Sequence, residues 1–372
     1  MPIRYDTMRI DKLLIKHYQQ GIEDALGRLN GLNDIARLLE EWEEEFSGYI
    51  GTHHALALNS GTDALQMALL ALQLKKGDEV IVPNVTYPAV PLAVLYAGGI
   101  AVPADCRPQD YQIDPDCAER LVSKRTKGII AAHMFGRPAP LEALMRLAKK
   151  KGLFTIEDVC QAESSEYKNK KLGSFCELSC FSFLYYKPLS SCGGGGGMLC
   201  FNNPKYRKAA ELTNIWKDEA ALLEAGQRFT RMYLWDLIAV KTKFKFLKDI
   251  IKSRLKIKAF FEKELSGIGD IDFPRDGKNE LTVPQVFVMT LHERDQLGQH
   301  LQNIGIQWQH PYVPLHKMNI FRSFIRQDMP NSDAYERRAL HLPLFSFMKE
   351  EEAAFIGDAI VKFFARARKT RP

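Results

Sequence analysis

The chain has 372 residues, of which 46% are hydrophobic and 26% are charged, a composition typical of ordinary globular proteins. The length is ample for a sizeable core and suits one large domain with a smaller one, or two domains. The net charge of +6 is too modest to require nucleic-acid binding, but it suits a phosphate-bearing cofactor or substrate.

No apolar run is long enough to span a bilayer, so no membrane partner is expected. The N-terminus, MPIRYDTMRIDKLLIKHYQQ, lacks the apolar centre and cleavage site of a signal peptide, and we therefore expect a cytoplasmic protein. The seven cysteines lack the CxxC pairs of a zinc site. We interpret them as free thiols in a reducing compartment, and no metal is expected.

The chain alternates between strand and helix patterns up to about residue 204. After an acidic helix at 34–50, ALALNSGTDALQMALLALQL predicts a strand, a turn at Asn59–Gly61 and a helix from Thr62. Strands follow in GDEVIVPNVTY, IAVPADC, KGIIAAHMFG and LFTIEDVCQA, separated by helices in AVPLAVLYAGG, 117–124 and PLEALMRLAKKKG. This pattern predicts an α/β fold with a mostly parallel central sheet covered by helices, with ligands at the carboxyl ends of its strands.

The pattern changes to long helices from about residue 204. We predict a large domain over residues 1–240 and a smaller C-terminal α+β domain over 241–372. The stretch 241–265 is basic, and we interpret it as a helix with a solvated basic face over a buried apolar one. Association with nucleic acid or a membrane through residues 241–258 is the alternative.

NSGTDAL places a turn and a helix start directly after a strand. The free N–H groups of a helix N-terminus and its dipole make such a point a seat for phosphate, with Gly61 and Thr62 as candidates. The alternative is simple N-capping, which needs only one of these residues.

TIEDVCQA carries adjacent acids, Glu157 and Asp158, at the end of a strand. A carboxylate that points into a site can pair with a pyridinium nitrogen and keep the ring electron-withdrawing. The alternative is a pair of strand-end carboxylates that cap the next turn.

FSFLYYKPLSSCGGGGGML places Lys187 between aromatic residues and five glycines. Partial burial lowers a lysine's pKa and prepares its amine to form a Schiff base with an aldehyde. The glycines would let the backbone pass close to a bulky ligand. By itself, a lysine in this position is usually a plain loop lysine.

Two further residues complete the pattern. Ser182 lies in the strand FSF, where alternation turns its side chain away from both phenylalanines and toward a possible phosphate, although a plain strand serine fits as well. Tyr87 follows the strand IVP and could stack on a planar ring, or belong to the core. A phosphate seat, an aromatic, a strand-end Asp and a lysine with glycines, in this order, together indicate a site for pyridoxal 5′-phosphate (PLP).

The order of NSGTDAL, VIVPNVTY, HMFGRPAPLEALMRLAKKKGLFTIEDVCQA, LGSFCELSCFSFLYYKPL and GGGGGML resembles the DegT/DnrJ/EryC1/StrS family. These proteins are PLP-dependent sugar aminotransferases of fold-type I. GIQWQHPYVPLH is similar to the family's His-Tyr-x-x-Pro-Leu-His segment, and HLPLF to its late Leu-Pro-Leu-Tyr. The resemblance covers about residues 30 to 365, whereas the first thirty residues match poorly.

The resemblance implies a role for each matching residue. Lys187 would hold PLP covalently and move protons, Asp158 would pair with the ring nitrogen, and Gln161 would lie near the ring's phenolic oxygen. The remaining implied contacts are Gly61, Thr62 and Ser182 with phosphate, Tyr87 with the ring, and His133 and His310 with the substrate.

The chain departs from the family pattern at the pocket border. GQRFTRMY has Phe229 where an Asn is expected to reach the phosphate of the neighbouring subunit's cofactor, and Arg228 is a candidate substitute. Tyr186 replaces the usual Thr before the lysine, so we place it at the substrate. LSSCGGGGG is richer in glycine than the family's segment.

The implied function is transfer of an amino group from an amino acid, by analogy glutamate, to a nucleotide-linked keto-sugar. The pathway would be cell-surface polysaccharide or secondary-metabolite biosynthesis, and the active sites would be shared across a homodimer. One alternative is a PLP-dependent sugar dehydratase, against which Lys187 argues because a histidine replaces the lysine in those relatives. The other is a non-catalytic PLP-binding regulator that kept the fold.

Overall fold

The computed structural model describes residues 3–207 and 230–370. In chain order, its helices are α1 (Arg9–Leu13), α2 (Ile15–Gly27), α3 (Leu32–Ile50), α4 (Gly61–Ala71), α5 (Ala89–Tyr96), α6 (Pro115–Leu121), α7 (Leu141–Lys151), α8 (Leu234–Phe244), α9 (Leu247–Glu264), α10 (Arg294–Asn303), α11 (Pro330–Arg338) and α12 (Glu350–Thr370). Its strands are β1 (His54–Leu58), β2 (Glu79–Pro83), β3 (Ile100–Ala104), β4 (Thr126–Ala132), β5 (Phe154–Asp158), β6 (Glu166–Tyr167), β7 (Lys170–Lys171), β8 (Leu178–Ser182), β9 (Gly197–Phe201), β10 (Glu280–Leu281), β11 (Phe287–Thr290) and β12 (Ala339–Leu342).

The central sheet has seven strands in the order β1-β9-β8-β5-β4-β2-β3. Strands β8, β5, β4, β2 and β3 pair in parallel, and only β9 runs antiparallel to its two neighbours, β1 and β8. The predicted mostly parallel sheet is confirmed. Asp158 is in register with Ala132 and Cys180, so the carboxyl ends of β4, β5 and β8 meet at one edge.

Helices cover both faces of this sheet. On one face, Trp42 and Phe46 of α3 pack against the rings of Phe181 and Phe183. On the other face, α4 and α5 bury apolar side chains with Cys180. Because side chains alternate along a strand, Ser182 lies on the α4 side of the sheet, as the alternation predicted.

The C-terminal part packs α9, α10 and α12 against the antiparallel pair β11–β12. Ile3 from the other end of the chain joins the same core. A third sheet, of order β10-β6-β7, was not predicted, because its strands have only two residues each. Helix α8 runs across residue 240, and the division into domains at that residue stays a prediction.

The predicted single helix at 241–265 is two helices, which join at Lys245 and Phe246. The interpretation of its charges as a solvated face was wrong for three of them, since Lys243, Arg254 and Lys258 are buried. Their polar partners come from distant segments, which a periodic pattern cannot show. Within residues 3–207 and 230–370, no helix combines the length and the apolarity that crossing a membrane requires.

Candidate functional site

Lys187 lies in a turn after β8, and its side chain is buried with 7% of the residue exposed. The Nζ atom donates to Oε1 of Gln285 at 3.3 Å and lies 4.8 Å from the ring centroid of Tyr186. Among the described residues, Lys187 forms no ion pair with a carboxylate. A buried lysine usually has an acidic partner, so this amine contributes little to stability and is a candidate for chemistry.

Burial lowers the pKa of the Lys187 amine below that of free lysine. The thiol of Cys160 and the carboxyls of Glu163 and Asp158 lie close enough to oppose this shift, but burial is the larger effect. A larger fraction of the amine is therefore neutral, and thus nucleophilic, near neutral pH than in a solvated lysine.

Asp158 and Glu157 end strand β5, and the strand alternation gives them different environments. The Asp158 carboxyl is 7% exposed, and its Oδ1 accepts from the N–H of Cys160 at 3.0 Å. Glu157 is fully buried and accepts from three backbone N–H groups, those of Gly173, Phe175 and Cys176. Glu157 therefore fixes the loop before β8, whereas Asp158, like Glu163, lies near Lys187.

His133 is 1% exposed and has both ring nitrogens engaged inside the protein. Its Nε2 lies 3.1 Å from Oε1 of Glu157, and its Nδ1 accepts from the N–H of Ala139 at 2.9 Å. A direct contact with substrate would require one of these bonds to break. Its substrate-binding role stays a prediction, and the contacts favour a structural role.

His310 is exposed, and its ring centroid lies 4.2 Å from that of Trp308. Its neighbour Gln309 lines the cavity described below, whereas His310 does not. Its predicted contact with substrate also stays a prediction.

The predicted phosphate seat is built from three segments that meet closely. Helix α4 begins at Gly61, one residue earlier than predicted, and Ser60 caps it by accepting from the N–H of Asp63 at 3.0 Å. The first backbone bond of the helix comes from Ala64, so the N–H groups of Gly61 and Thr62 precede the helical ladder.

A side chain at residue 61 would come within 2.7 Å of the Cys160 sulphur and 2.8 Å of Cβ of Ser182. The glycine therefore lets the start of α4 approach the ends of β5 and β8. The structure thus brings Gly61, Thr62 and Ser182 together at a capped helix end, and their binding of phosphate stays a prediction.

The glycine run 193–197 comes close to other protein atoms, and its closest backbone contact is with Ser60. A Cβ atom on Gly197 would overlap the carbonyl group of Ser60, and one on Gly195 would lie 2.7 Å from Oδ2 of Asp236. At these two positions the glycines make room for protein atoms, and the expected close approach to a ligand stays a prediction. Gly197 lets β9 pass beside the start of α4, where the phosphate seat is predicted.

Tyr87 and Gln161 both contact Tyr312, a residue to which the sequence motifs assigned no role. Gln161 accepts from the N–H of Phe135 at 2.9 Å and donates to the hydroxyl of Tyr312 at 3.3 Å. Tyr87 is 46% exposed, and its ring stands edge-on to that of Tyr312 with centroids 6.3 Å apart. Burial raises the pKa of the Tyr312 hydroxyl to about 12, so it remains a hydrogen-bond donor at neutral pH.

A cavity of about 440 Å³ opens beside Lys187. Of the predicted residues, it is lined by Tyr87, Tyr186 and Lys187. The sequence analysis did not assign several of its other lining residues, among them Tyr5, Arg254, Gln285 and Tyr312. Tyr312 lies within the quoted segment HPYVPLH, and Gln285 within a strand-like segment that gave no chemical signal.

An N-terminal arm, residues 3–13, forms part of the cavity wall. Ile3 pairs with the backbone next to Ile306, and the Tyr5 hydroxyl donates to the carbonyl of His341 at 3.2 Å. Arg9 forms an ion pair with Glu352 at 2.6 Å. The poorly matching start of the chain is therefore part of the site. Arg228 and Phe229 lie outside the described residues, so the predicted substitution at the phosphate stays a prediction.

The model of the DegT/DnrJ/EryC1/StrS aminotransferase family matches residues 30–361. A dTDP-3-amino-3,4,6-trideoxy-alpha-D-glucose transaminase from Streptomyces venezuelae is 29% identical over 98% of this chain and 99% of its own. A UDP-N-acetyl-3-dehydro-alpha-D-glucosamine 3-aminotransferase from Acidithiobacillus ferrooxidans is 31% identical over 86% of each. The crystal structure of S. venezuelae DesV in complex with a ketimine intermediate superposes with a TM-score of 0.90, at 27% identity and 98% coverage of both chains.

Proposed function

The chain belongs to the DegT/DnrJ/EryC1/StrS aminotransferase family, and from this premise we propose that it transfers an amino group from an amino acid to a nucleotide-linked keto-sugar with PLP as cofactor. The observation that carries the proposal is the buried Lys187 amine, which has a lowered pKa and no ion pair among the described residues, at the strand edge that also holds Asp158 and the start of α4.

The residues at this edge fit PLP. Lys187 would hold its aldehyde carbon, Asp158 its ring nitrogen, and Tyr87 and Gln161 its ring. The N–H groups of Gly61 and Thr62, with the Ser182 hydroxyl, would bind its phosphate. When bound, PLP supplies an electrophilic carbon and an electron-withdrawing ring that stabilises negative charge on a substrate carbon.

The chain's own contribution begins with the Lys187 amine. Because burial lowers its pKa, part of this amine is neutral. It could therefore take a proton from a substrate carbon and deliver it to the cofactor's aldehyde carbon. The hydrogen bond to Gln285 and the contact with Tyr186 restrict where this amine can move. The Asp158 carboxylate, oriented by the Cys160 N–H, would keep a ring nitrogen protonated.

The substrate class is supported by the relatives, whose names specify dTDP-linked and UDP-linked sugars. We propose glutamate as the amino donor, and cell-surface polysaccharide or secondary-metabolite biosynthesis as the pathway. The aromatic wall of Tyr87, Tyr185 and Tyr186 offers flat surfaces on which a sugar ring could pack.

We also propose a homodimer with shared active sites, in which Arg228 reaches the phosphate of the partner's cofactor. Trp235 is 59% exposed at the start of α8, just after the segment that contains Arg228, and suits a subunit interface. Static light scattering of an active, PLP-loaded protein should give twice the chain mass, and the mass of a single chain would contradict this proposal. We place the protein in the cytoplasm, which the seven free thiols support.

The test is to mix PLP-loaded protein with glutamate and then with a panel of nucleotide-linked keto-sugars. The cofactor absorbance should disappear with glutamate and return with the correct sugar. Lys187→Ala is the control, and borohydride reduction followed by peptide mapping should find the pyridoxyl group on Lys187. Failure of every amino donor to change the absorbance would favour a regulatory protein, and release of water without amination would favour a dehydratase.

A further inference from the structure

The cavity beside Lys187 contains a second buried cation, Arg254 of α9, which is 3% exposed. Its Nε donates to the carbonyl of Pro284 at 2.9 Å, and its Nη1 donates to the Ser346 hydroxyl at 3.1 Å. Its Nη2 donates to the carbonyls of Gln285 at 2.8 Å and Leu344 at 3.1 Å. All four acceptors are neutral, and within the described ranges Arg254 forms no ion pair.

The charge of Arg254 is therefore poorly balanced by the protein. Burial lowers its pKa to about 10, and only the carboxyl of Glu163 opposes the shift. Glu163 is a weak counter-charge, because burial raises its own pKa. At neutral pH the guanidinium remains protonated, and a buried cation in this condition is stabilised by any anion that reaches it.

The cavity is built to receive such an anion. Arg254 and Lys187 both line it, and none of its described lining residues is Asp or Glu. A guanidinium has five N–H donors, and the four bonds leave one donor on Nη1. A single residue, Gln285, separates the two cations, since its side chain accepts from Lys187 and its carbonyl accepts from Arg254.

We propose that Arg254 binds a carboxylate of the amino-acid donor while the donor's amino group reaches Lys187. This inference rests on the proposed aminotransferase function. A carboxylate fits better than a sugar-nucleotide phosphate because it lies only a few bonds from the reacting amine of an amino acid. The phosphate of a nucleotide-linked sugar is attached at the anomeric carbon, and the nucleotide beyond it needs an open path that a residue 3% exposed does not offer.

The test measures binding without turnover. Glutarate, which has two carboxylates and no amine, is titrated calorimetrically into PLP-loaded protein. Arg254→Met should weaken glutarate binding roughly tenfold to a hundredfold, the usual effect of losing a hydrogen bond to a charged group, with UDP affinity unchanged. Lys248→Met removes an exposed charge from the same helix outside the cavity and should change neither. The proposal would be overturned if Arg254→Met bound glutarate as tightly as the unaltered protein does. It would also be overturned if the substitution weakened only the binding of UDP.

A second measurement needs no variant at the buried site, in case Arg254→Met does not fold. On the unaltered protein, glutarate should bind, and 1,5-pentanediol, which has the same carbon chain without charge, should not. Equal binding of the two compounds, or no binding of glutarate, would overturn the proposal. The absorbance of bound PLP and the pyridoxyl adduct at Lys187 test the aminotransferase function separately, so failure of either idea is distinguishable from failure of the other.

Discussion

Two buried lysines, Lys187 and Lys243, lie in regions that differ in how they balance a positive charge. Lys243 of α8 is fully buried against the N-terminal arm. Its Nζ lies 2.7 Å from Oδ1 of Asp11 and 2.6 Å from the Ser190 hydroxyl. Among the described residues, Lys187 at the sheet edge forms no ion pair, and its Nζ contacts an amide oxygen and a tyrosine ring, with Glu163 and Asp158 nearby but unpaired with it. Burial alone does not make a lysine reactive. The difference lies in the counter-charge, which contacts Lys243 directly and lies near Lys187 without pairing with it.

The largest effect is expected at Lys187, the lysine to which we assign the chemistry. Lys187→Ala should lower the rate of amino transfer at least about a thousandfold, because in the proposed function one amine both holds the cofactor and moves the proton. Stopped-flow absorbance with glutamate measures the rate, and mass mapping measures the adduct. A variant that retains more than a tenth of the activity would remove the distinction between the two lysines. Lys243→Arg, which keeps a cation beside Asp11, is the matched control.

The next effect tests the structural member. Asp11→Ala leaves Lys243 buried without its acid, and we expect the free energy of unfolding to fall by about 3–5 kcal/mol, as measured by urea denaturation. Lys12→Ala, at an exposed neighbour, should have little effect. The double variant Asp11→Ala/Lys243→Met should recover part of the loss, since no charge is then left unpaired. A loss below about 1 kcal/mol for Asp11→Ala would show that this pair is not structural.

A smaller effect is expected at the glycine run that follows the reactive lysine. Gly197→Ala places a methyl group against the carbonyl of Ser60, and we expect it to cost about 1–3 kcal/mol and to weaken PLP binding. Gly193→Ala is the control, because its methyl group would lie 3.5 Å from Oδ1 of Asp236, an ordinary contact. PLP affinity can be measured by absorbance titration. Equal affinities in the two variants would show that β9 does not support the phosphate seat.

The smallest effect sharpens the comparison through pH. The folded-state pKa of Lys187 is lowered, so the unfolded chain binds this proton more tightly and the protein loses stability as the pH falls below the usual pKa of lysine. Lys187→Met should therefore stabilise the cofactor-free protein near pH 8, and should do so less near pH 11. Lys243→Met should destabilise it, because Asp11 then loses its partner. Stabilisation by both substitutions would contradict the role given to the counter-charge.

The sheet was predictable because its signals are local. Continuous apolar strands, helix starts and glycine stops recur along residues 54–201, and parallel strands must end at a common edge. The burial of Lys187 and its place near Asp158 follow from that edge. The cavity wall was not predictable in the same way. Arg254 has the sequence context of a surface charge, and only contacts with carbonyls far along the chain show that it is buried.

The two histidines show the limit of a motif. His133 and His310 lie in segments that match the family, but a motif locates a segment and does not determine the direction of a side chain. His133 turns toward Glu157 inside the protein, and His310 lies against Trp308 at the surface. The atoms that approach the glycine run could not be predicted either. A glycine in the sequence indicates that space is needed at that position, but it does not indicate which neighbouring atoms occupy the space.

The N-terminal arm has a consequence for how the molecule is made. Ile3, Tyr5 and Arg9 leave the ribosome before the central sheet, and their partners at residues 305–352 leave it after the sheet. The central sheet, whose strands end at Phe201, can form while synthesis continues. The wall that the arm contributes must wait until residues 305–352 have been made. A nascent or truncated polypeptide can thus carry Lys187 on a folded sheet while the cavity beside it is still open.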